Sequence, residues 1–263
     1  MRIATWNVNS IRQRLDHLQT WLKERQPDIV CLQETKCVDD AFPREPLEAL
    51  GYNVAAHGQK TFNGVALLSK LPFDEVASGL MGDDSDVQAR FLEALVSTRR
   101  GVVRVVSLYL PNGNPAPGEK YDYKLKWMDR LANFSRERLA LEEPFVLAGD
   151  YNVIPAPADA KRPAAWVKDA LFLPPTRERY RSLLNLGLTD AIRAVSEDEG
   201  LYTFWDYQAG CWQRDEGIRI DHMLLSPQAA DRLVDAGIDR HVRGWDKPSD
   251  HVPVYIDLDI DGR

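Results

Sequence analysis

An apolar run of strand length that stops on an acid and an amide, Phe145-Val146-Leu147-Ala148-Gly149-Asp150-Tyr151-Asn152, constrains this chain more than any other stretch. Its middle reads as a strand buried in a sheet. A carboxylate is expensive there, so Asp150 and Asn152 belong at the rim. The construction recurs. Residues 2–8 read as a buried strand ending in Asn7-Val8-Asn9, and residues 28–33 as another ending in Glu34-Thr35-Lys36. Between them Ile11, Leu15, Leu18 and Leu22 return at helical spacing, which predicts an amphipathic helix over 11–26 with Ser10 as its N-cap. The opening is therefore β-α-β.

Residues 52–57, 65–69, 91–97 and 102–110 are β-rich runs separated by Gly, Pro and acidic turns, and the last exits at Tyr109-Leu110-Pro111-Asn112. Helical spacing of Leu125, Met128, Leu131 and Ala132 predicts a helix over 120–141, and another is expected over 176–187. Residues 201–207 and 218–225 read as strands, 227–235 as a short helix and 252–260 as the last strand. The Pro- and Ala-rich segment 153–175 has weak periodicity, and a loop of that length in a domain is often functional. With no linker and no repeat readable by identity, residues 1–263 are expected to form one catalytic domain: an α/β sandwich of two sheets with helices outside.

No apolar run reaches the ~18–20 residues that span a membrane, and the N-terminus enters a strand pattern without a secretory signal. Cys31, Cys37 and Cys211 are odd in number and lack paired metal spacing, which fits a reducing cytoplasm. The net charge of −7 argues against a polyanionic partner on its face. Charge distribution argues the other way: residues 161–182 carry six cations against two acids, and residues 120–138 six against three. No long apolar stripe or heptad calls for assembly, so a monomer is expected.

The rim residues form a constellation. Asn7, Glu34, Asn112, Asp150, Asn152, Asp221, Asp250 and His251 nearly all flank strands. Asp250 and His251 precede the last strand, stiffened by Pro248 and Pro253. If that strand runs antiparallel to its neighbours, its start shares a rim with their ends. Hard oxygen ligands without a Cys/His cluster suit magnesium, or manganese in its place, rather than zinc. Amides and the Tyr109 hydroxyl can hydrogen-bond phosphate oxygens, and one histidine can donate to a developing oxyanion while a carboxylate fixes its tautomer. Metal, donors and a base together make a phosphodiester hydrolysis site.

These segments resemble the exonuclease III family of bacterial apurinic/apyrimidinic endonucleases, within the endonuclease/exonuclease/phosphatase superfamily. The matching motifs are Thr5-Trp6-Asn7-Val8-Asn9, Leu32-Gln33-Glu34-Thr35-Lys36, Tyr109-Leu110-Pro111-Asn112, Gly149-Asp150-Tyr151-Asn152, Arg219-Ile220-Asp221 and Pro248-Ser249-Asp250-His251, in family order along nearly the whole chain. The resemblance implies a four-layered α/β sandwich whose two sheets are mostly antiparallel. It implies that Glu34 is the main magnesium ligand with Asn7 and Asp250 close by, and that Asp150 activates or orients water or acts as an acid on the leaving oxygen. It further implies that Asn152, Tyr109 and Asn112 hold the scissile phosphate, with Asn9 and Lys36 also on the DNA, and that Asp221 orients His251. Phe204, Trp205, Trp212 and Ile218 would line a pocket for the flipped-out abasic sugar. Some relatives carry tryptophan where this chain has Ile218, which leaves the pocket shape open.

The implied activity is hydrolysis of duplex DNA 5′ to abasic sites and removal of 3′ blocking groups, with 3′→5′ exonuclease action. Two rivals share the fold: a phosphatase or phosphodiesterase acting on lipid or inositol phosphates, and a nucleic-acid-binding paralogue that does not cut. The full motif set and Lys36 after Glu34 stand against the first. The presence of every metal and base residue stands against the second.

Overall fold

Side chains alternate across the first strand, β1 (Arg2–Asn7), and this alternation sets the layering. Ile3 packs between two sheets, whereas Ala4 and Trp6 pack outward with Leu18, Trp21 and Leu22 of α1 (Leu15–Arg25). The computed structural model describes residues 1–260. After α1 come β2 (Ile29–Gln33), α2 (Arg44–Glu48), β3 (Asn53–His57), β4 (Val65–Ser69), β5 (Glu75–Ser78), β6 (Phe91–Thr98), β7 (Gly101–Tyr109) and α3 (Glu119–Leu139). Then follow β8 (Phe145–Asp150), α4 (Pro174–Asn185), β9 (Thr189–Asp190), α5 (Ala191–Val195), β10 (Asp221–Leu225), α6 (Pro227–Ala230), β11 (Leu233–Ile238) and β12 (Val254–Leu258).

Two six-stranded sheets result, ordered β11-β12-β1-β2-β4-β3 and β5-β6-β7-β8-β10-β9. Each contains one parallel pair, β1 with β2 and β7 with β8, and is otherwise antiparallel. Leu67, Val105, Val146, Met223 and Ile256 fill the space between the sheets. The outer face of the second sheet packs Leu108, Leu147 and Leu224 against Trp127, Met128 and Leu131 of α3 and Tyr180 and Leu183 of α4. The layers are helix, sheet, sheet, helix. No helix among the described residues is long and apolar enough to cross a membrane.

The first helix begins at Leu15, and Ser10 does not cap it: the N–H groups of Ser10 and Ile11 bond the carbonyls of Glu34 and Thr35, so the loop after β1 is laced to the loop after β2. Residues 201–207 are no strand. Phe204 makes single bridges to Ile218 on one side and His251 on the other, and β10 starts only at Asp221. The helix expected over 227–235 stops at Ala230 because Leu233–Ile238 pairs with β12 as an edge strand. β5 was not anticipated; all four of its residues are exposed, so it carries no burial pattern to read.

Candidate active site

Topology brings the polar strand ends together. The C-terminal ends of β1, β2, β7 and β8 share a rim with the starts of β10 and β12, because β10 runs antiparallel to β8 with Asp221 opposite Asp150, and β12 antiparallel to β1. Ser249 ties the last loop to the first strand, donating from Oγ to the Asn7 carbonyl at 2.7 Å. Just below, Thr5, Gln33 and Ser107 form a buried relay between the sheets, with both side-chain links at 3.1 Å.

At the rim, Asn7 Nδ2 donates to Glu34 Oε1 and to Asp150 Oδ2, both at 2.9 Å. Lys36 pairs with the other oxygen of Glu34 at 2.8 Å. Asp150 Oδ1 accepts from the Asn152 amide at 2.9 Å, and Asn152 Oδ1 accepts from Asn112 Nδ2 at 3.1 Å. His251 lies between two carboxylates, with Nδ1 at 2.8 Å from Asp221 Oδ2 and Nε2 at 3.7 Å from Asp150 Oδ2. Asp221 Oδ1 is buried without a hydrogen-bond partner. Asn9 donates to Asp250 Oδ1 at 3.0 Å and accepts from Lys36. Glu34, Lys36 and Asn152 all adopt left-handed φ, near +50°, a conformation held by surrounding bonds rather than by preference.

Burial and charge act against each other here. Burial pushes the Asp150 carboxyl up to about 7, opposed by His251. Burial also disfavours the charged form of His251, but Asp221 and Asp150 outweigh it and push the imidazole up to about 10. For Glu34, burial is overcome by Lys36 and Asn7, which hold the carboxyl below its usual value. Burial, then Glu34 and Asp150, raise the Tyr109 phenol well above its ordinary value, so it stands as a donor.

Ligand atoms of Glu34, Asp150 and His251 lie within 4.8 Å of one another. Because both ring nitrogens of His251 face carboxylates, Nδ1 toward Asp221 and Nε2 toward Asp150, the donors left for a cation are carboxylate and amide oxygens. That is the donor set of a hard divalent ion. Asp250 is not part of this compact group and instead accepts from Asn9.

Beside the rim lies a cavity of about 360 Å³, walled by Trp166, Phe204, Ile218, Arg162, Asp206 and Glu216 among others. Phe204 stands edge-on to His251, with ring centroids 4.9 Å apart. Two of the four pocket residues expected from sequence are therefore placed on its wall and two are not. Trp205 is fully buried beside Tyr202 and Val252, and Trp212 packs on Trp205 and on the guanidiniums of Arg240 and Arg243. Trp166, which sequence reasoning missed, comes from the 153–175 loop, where nothing periodic marked it. A larger recess of about 610 Å³ lies at the opposite rim, where Arg2 is already paired with Asp257. Both basic segments hold paired and unpaired cations: Arg130 pairs with Asp86 and Arg138 with Glu93 in 120–138, Arg162 with Glu216 and Arg179 with Asp129 in 161–182, while Lys126 of the first and Lys168 and Arg181 of the second make no ion pair among the described residues.

Residues 4–251 match the Endonuclease/Exonuclease/phosphatase family. An exodeoxyribonuclease III of Haemophilus influenzae is 34% identical over 266 residues, covering 98% of this chain and 100% of that protein. An AP endonuclease from Archaeoglobus fulgidus superposes with a TM-score of 0.94 at 37% identity, over 99% of this chain and 100% of that one. The 3′ phosphatase NExo from Neisseria, solved with a product DNA hairpin, gives 0.95 at 39% identity over 98% and 99%.

Proposed function

The chain belongs to the Endonuclease/Exonuclease/phosphatase family and, like these relatives, is a DNA repair nuclease; we propose that it cuts duplex DNA 5′ to abasic sites and clears blocked 3′ ends, with 3′→5′ exonuclease action. The observation that carries this reading is His251 held between Asp221 and Asp150, beside a cavity that Phe204, Ile218 and Trp166 help to wall.

In this reading Tyr109, Asn112 and Asn152 hold the scissile phosphate. Asp150 orients the attacking water from the side of Asn7. Charge developing on a phosphate oxygen is met by the His251 imidazolium, whose tautomer and direction Asp221 fixes. Glu34, with Asn7 and Asp250 nearby, would hold magnesium, with manganese as a substitute. When bound there, the ion supplies positive charge and polarises the phosphate. Asn9 and Lys36 extend the phosphate contacts. Phe204, Ile218 and Trp166 receive the extruded abasic sugar, which leaves the duplex at least cost because it has no paired base. The three free cysteines support a reducing cytoplasm, and the rim built from both ends of the chain supports a single catalytic domain.

The test is a duplex carrying one abasic site, incubated with magnesium and then with EDTA. A nick on the 5′ side in the first and none in the second is expected. Absence of a metal-dependent nick contradicts the reading.

A further inference from the structure

Lys124 is a lysine with no exposed surface, set on the buried face of α3. Its ammonium donates to two backbone carbonyls, that of Asn112 at 3.0 Å and that of Asn152 at 2.6 Å. These are the two asparagines whose side chains face the rim, and they sit on separate loops, one after β7 and the other after β8. One cation therefore ties both loops from behind. Gly113 lets the lysine stem pass, since a Cβ there would stand 2.6 Å from Lys124 Cδ, and its φ of +89° already favours glycine.

Stability alone does not ask for a lysine here. Burial drives its pKa down to about 7, and a methionine of similar length would fill the space without that cost. The bond explains something else. Asn152 holds a left-handed backbone at φ 48° and is fixed through every polar group it has. Its N–H donates to Asp150 at 2.9 Å, its Nδ2 to the Leu110 carbonyl at 2.9 Å, its Oδ1 accepts from Asn112 and its carbonyl accepts from Lys124. With both carbonyls drawn toward α3, the two side-chain amides lie against each other, Asn112 Nδ2 donating to Asn152 Oδ1 at 3.1 Å.

We propose that Lys124 is a positioning residue for turnover: by clamping the Asn112 and Asn152 carbonyls it aims both amides at the phosphate and holds Asn152 against Asp150. This rests on the phosphate role proposed above for the two asparagines.

Steady-state nicking of the abasic duplex in magnesium tests it on Lys124→Met, Asn152→Ala and the double variant, each checked for folding by circular dichroism. Lys124→Met is expected to lower kcat about 30-fold or more while KM moves less than about threefold, because misaimed amides affect the reacting phosphate and not the DNA footprint. In the Asn152→Ala background the same change is expected to cost several-fold less than in the parent, since of the two aimed amides only that of Asn112 remains. If Lys124→Met does not fold, Lys124→Gln, which keeps one donor, is judged by the same criteria. A folded variant with kcat within about threefold of the parent, or losses that multiply in the double variant, overturns the inference. A parent that makes no nick overturns the proposed function and this inference with it; a parent that nicks beside an equally active Lys124→Met overturns this inference alone.

Discussion

Two of the chain's Asp-His pairs, Asp221-His222 and Asp250-His251, are put by the fold to opposite uses. Both histidines are buried, at 0% and 4% exposure, so burial does not separate them. Their neighbours do. Strand alternation sends Asp221 and His222 to opposite faces of β10. Asp221 turns to the rim and takes His251 as its partner across 30 residues. His222 turns to the helix side, among the rings of Tyr151 and Tyr180, with Nε2 at 2.9 Å from the Val153 carbonyl and Nδ1 at 3.1 Å from the Arg219 guanidinium. Burial and then Arg219 push His222 down to about 4. Two carboxylates favour the charged form of one imidazole; burial and a neighbouring cation favour the neutral form of the other. The sign of the nearest charge decides the state of a buried histidine, and its state decides whether it can serve chemistry or packing.

Predictions follow that contrast from strong to weak. Asp150→Asn removes a charge from the rim while keeping its shape, and nicking is expected to fall about 10³-fold or more with the fold intact, as activity and melting curves on one preparation can check. A variant that nicks near the parent rate removes Asp150 from the proposed chemistry. On the packing side, Arg219 bonds Asp159 at 2.7 Å and Asp190 at 2.8 Å, and both carboxyls are held below their usual range despite burial. Arg219→Met leaves the buried Asp190 without its cation and Asp159 with Arg193 alone, which is expected to cost about 3–5 kcal/mol in denaturant unfolding; a change below about 1 kcal/mol would show that the network is not coupled to folding.

His222 gives a pH dependence. Its folded pKa lies below the unfolded value of 6.5, so the unfolded chain binds the extra proton. Its contribution is fully present above pH 6.5 and is lost as pH falls toward about 4, on the order of 3 kcal/mol for the shift. Unfolding free energies across that window should decline with acid, and His222→Gln should flatten the slope; an unchanged slope assigns the acid sensitivity elsewhere. The smallest effect is expected at the surface pair Arg179–Asp129, 2.8 Å apart but with Asp129 more than half exposed, where Arg179→Ala should shift stability by less than about 1 kcal/mol.

Much of the rim was legible because strand exits are where acids and amides survive next to buried apolar runs. Asn7, Glu34, Tyr109, Asp150 and Asp221 each end or begin a strand whose middle the sequence marks plainly. The partnership of Asp221 with His251 rather than His222 follows from period-two alternation. What stayed hidden depends on irregular backbone. Residues 201–207 look like a strand but are a connector with Phe204 as its one bridging residue, so nothing in the spacing separates the buried Trp205 from the wall residues Phe204 and Trp166. Lys124 did leave a signal: it lies four residues before Met128 and seven before Leu131, on the buried stripe of α3, where a lysine needs a reason.

The central claim is that the rim around His251 does chemistry while the network around His222 holds the scaffold. His251→Gln and His222→Gln, assayed side by side for kcat on the abasic duplex and for Tm, test it directly. His251→Gln is expected to lose about 10²–10⁴-fold in kcat with Tm within a few degrees of the parent, and His222→Gln to keep kcat within about threefold while Tm drops by roughly 4–8 °C. A His251→Gln enzyme that turns over normally, or a His222→Gln enzyme that loses turnover without losing stability, contradicts it.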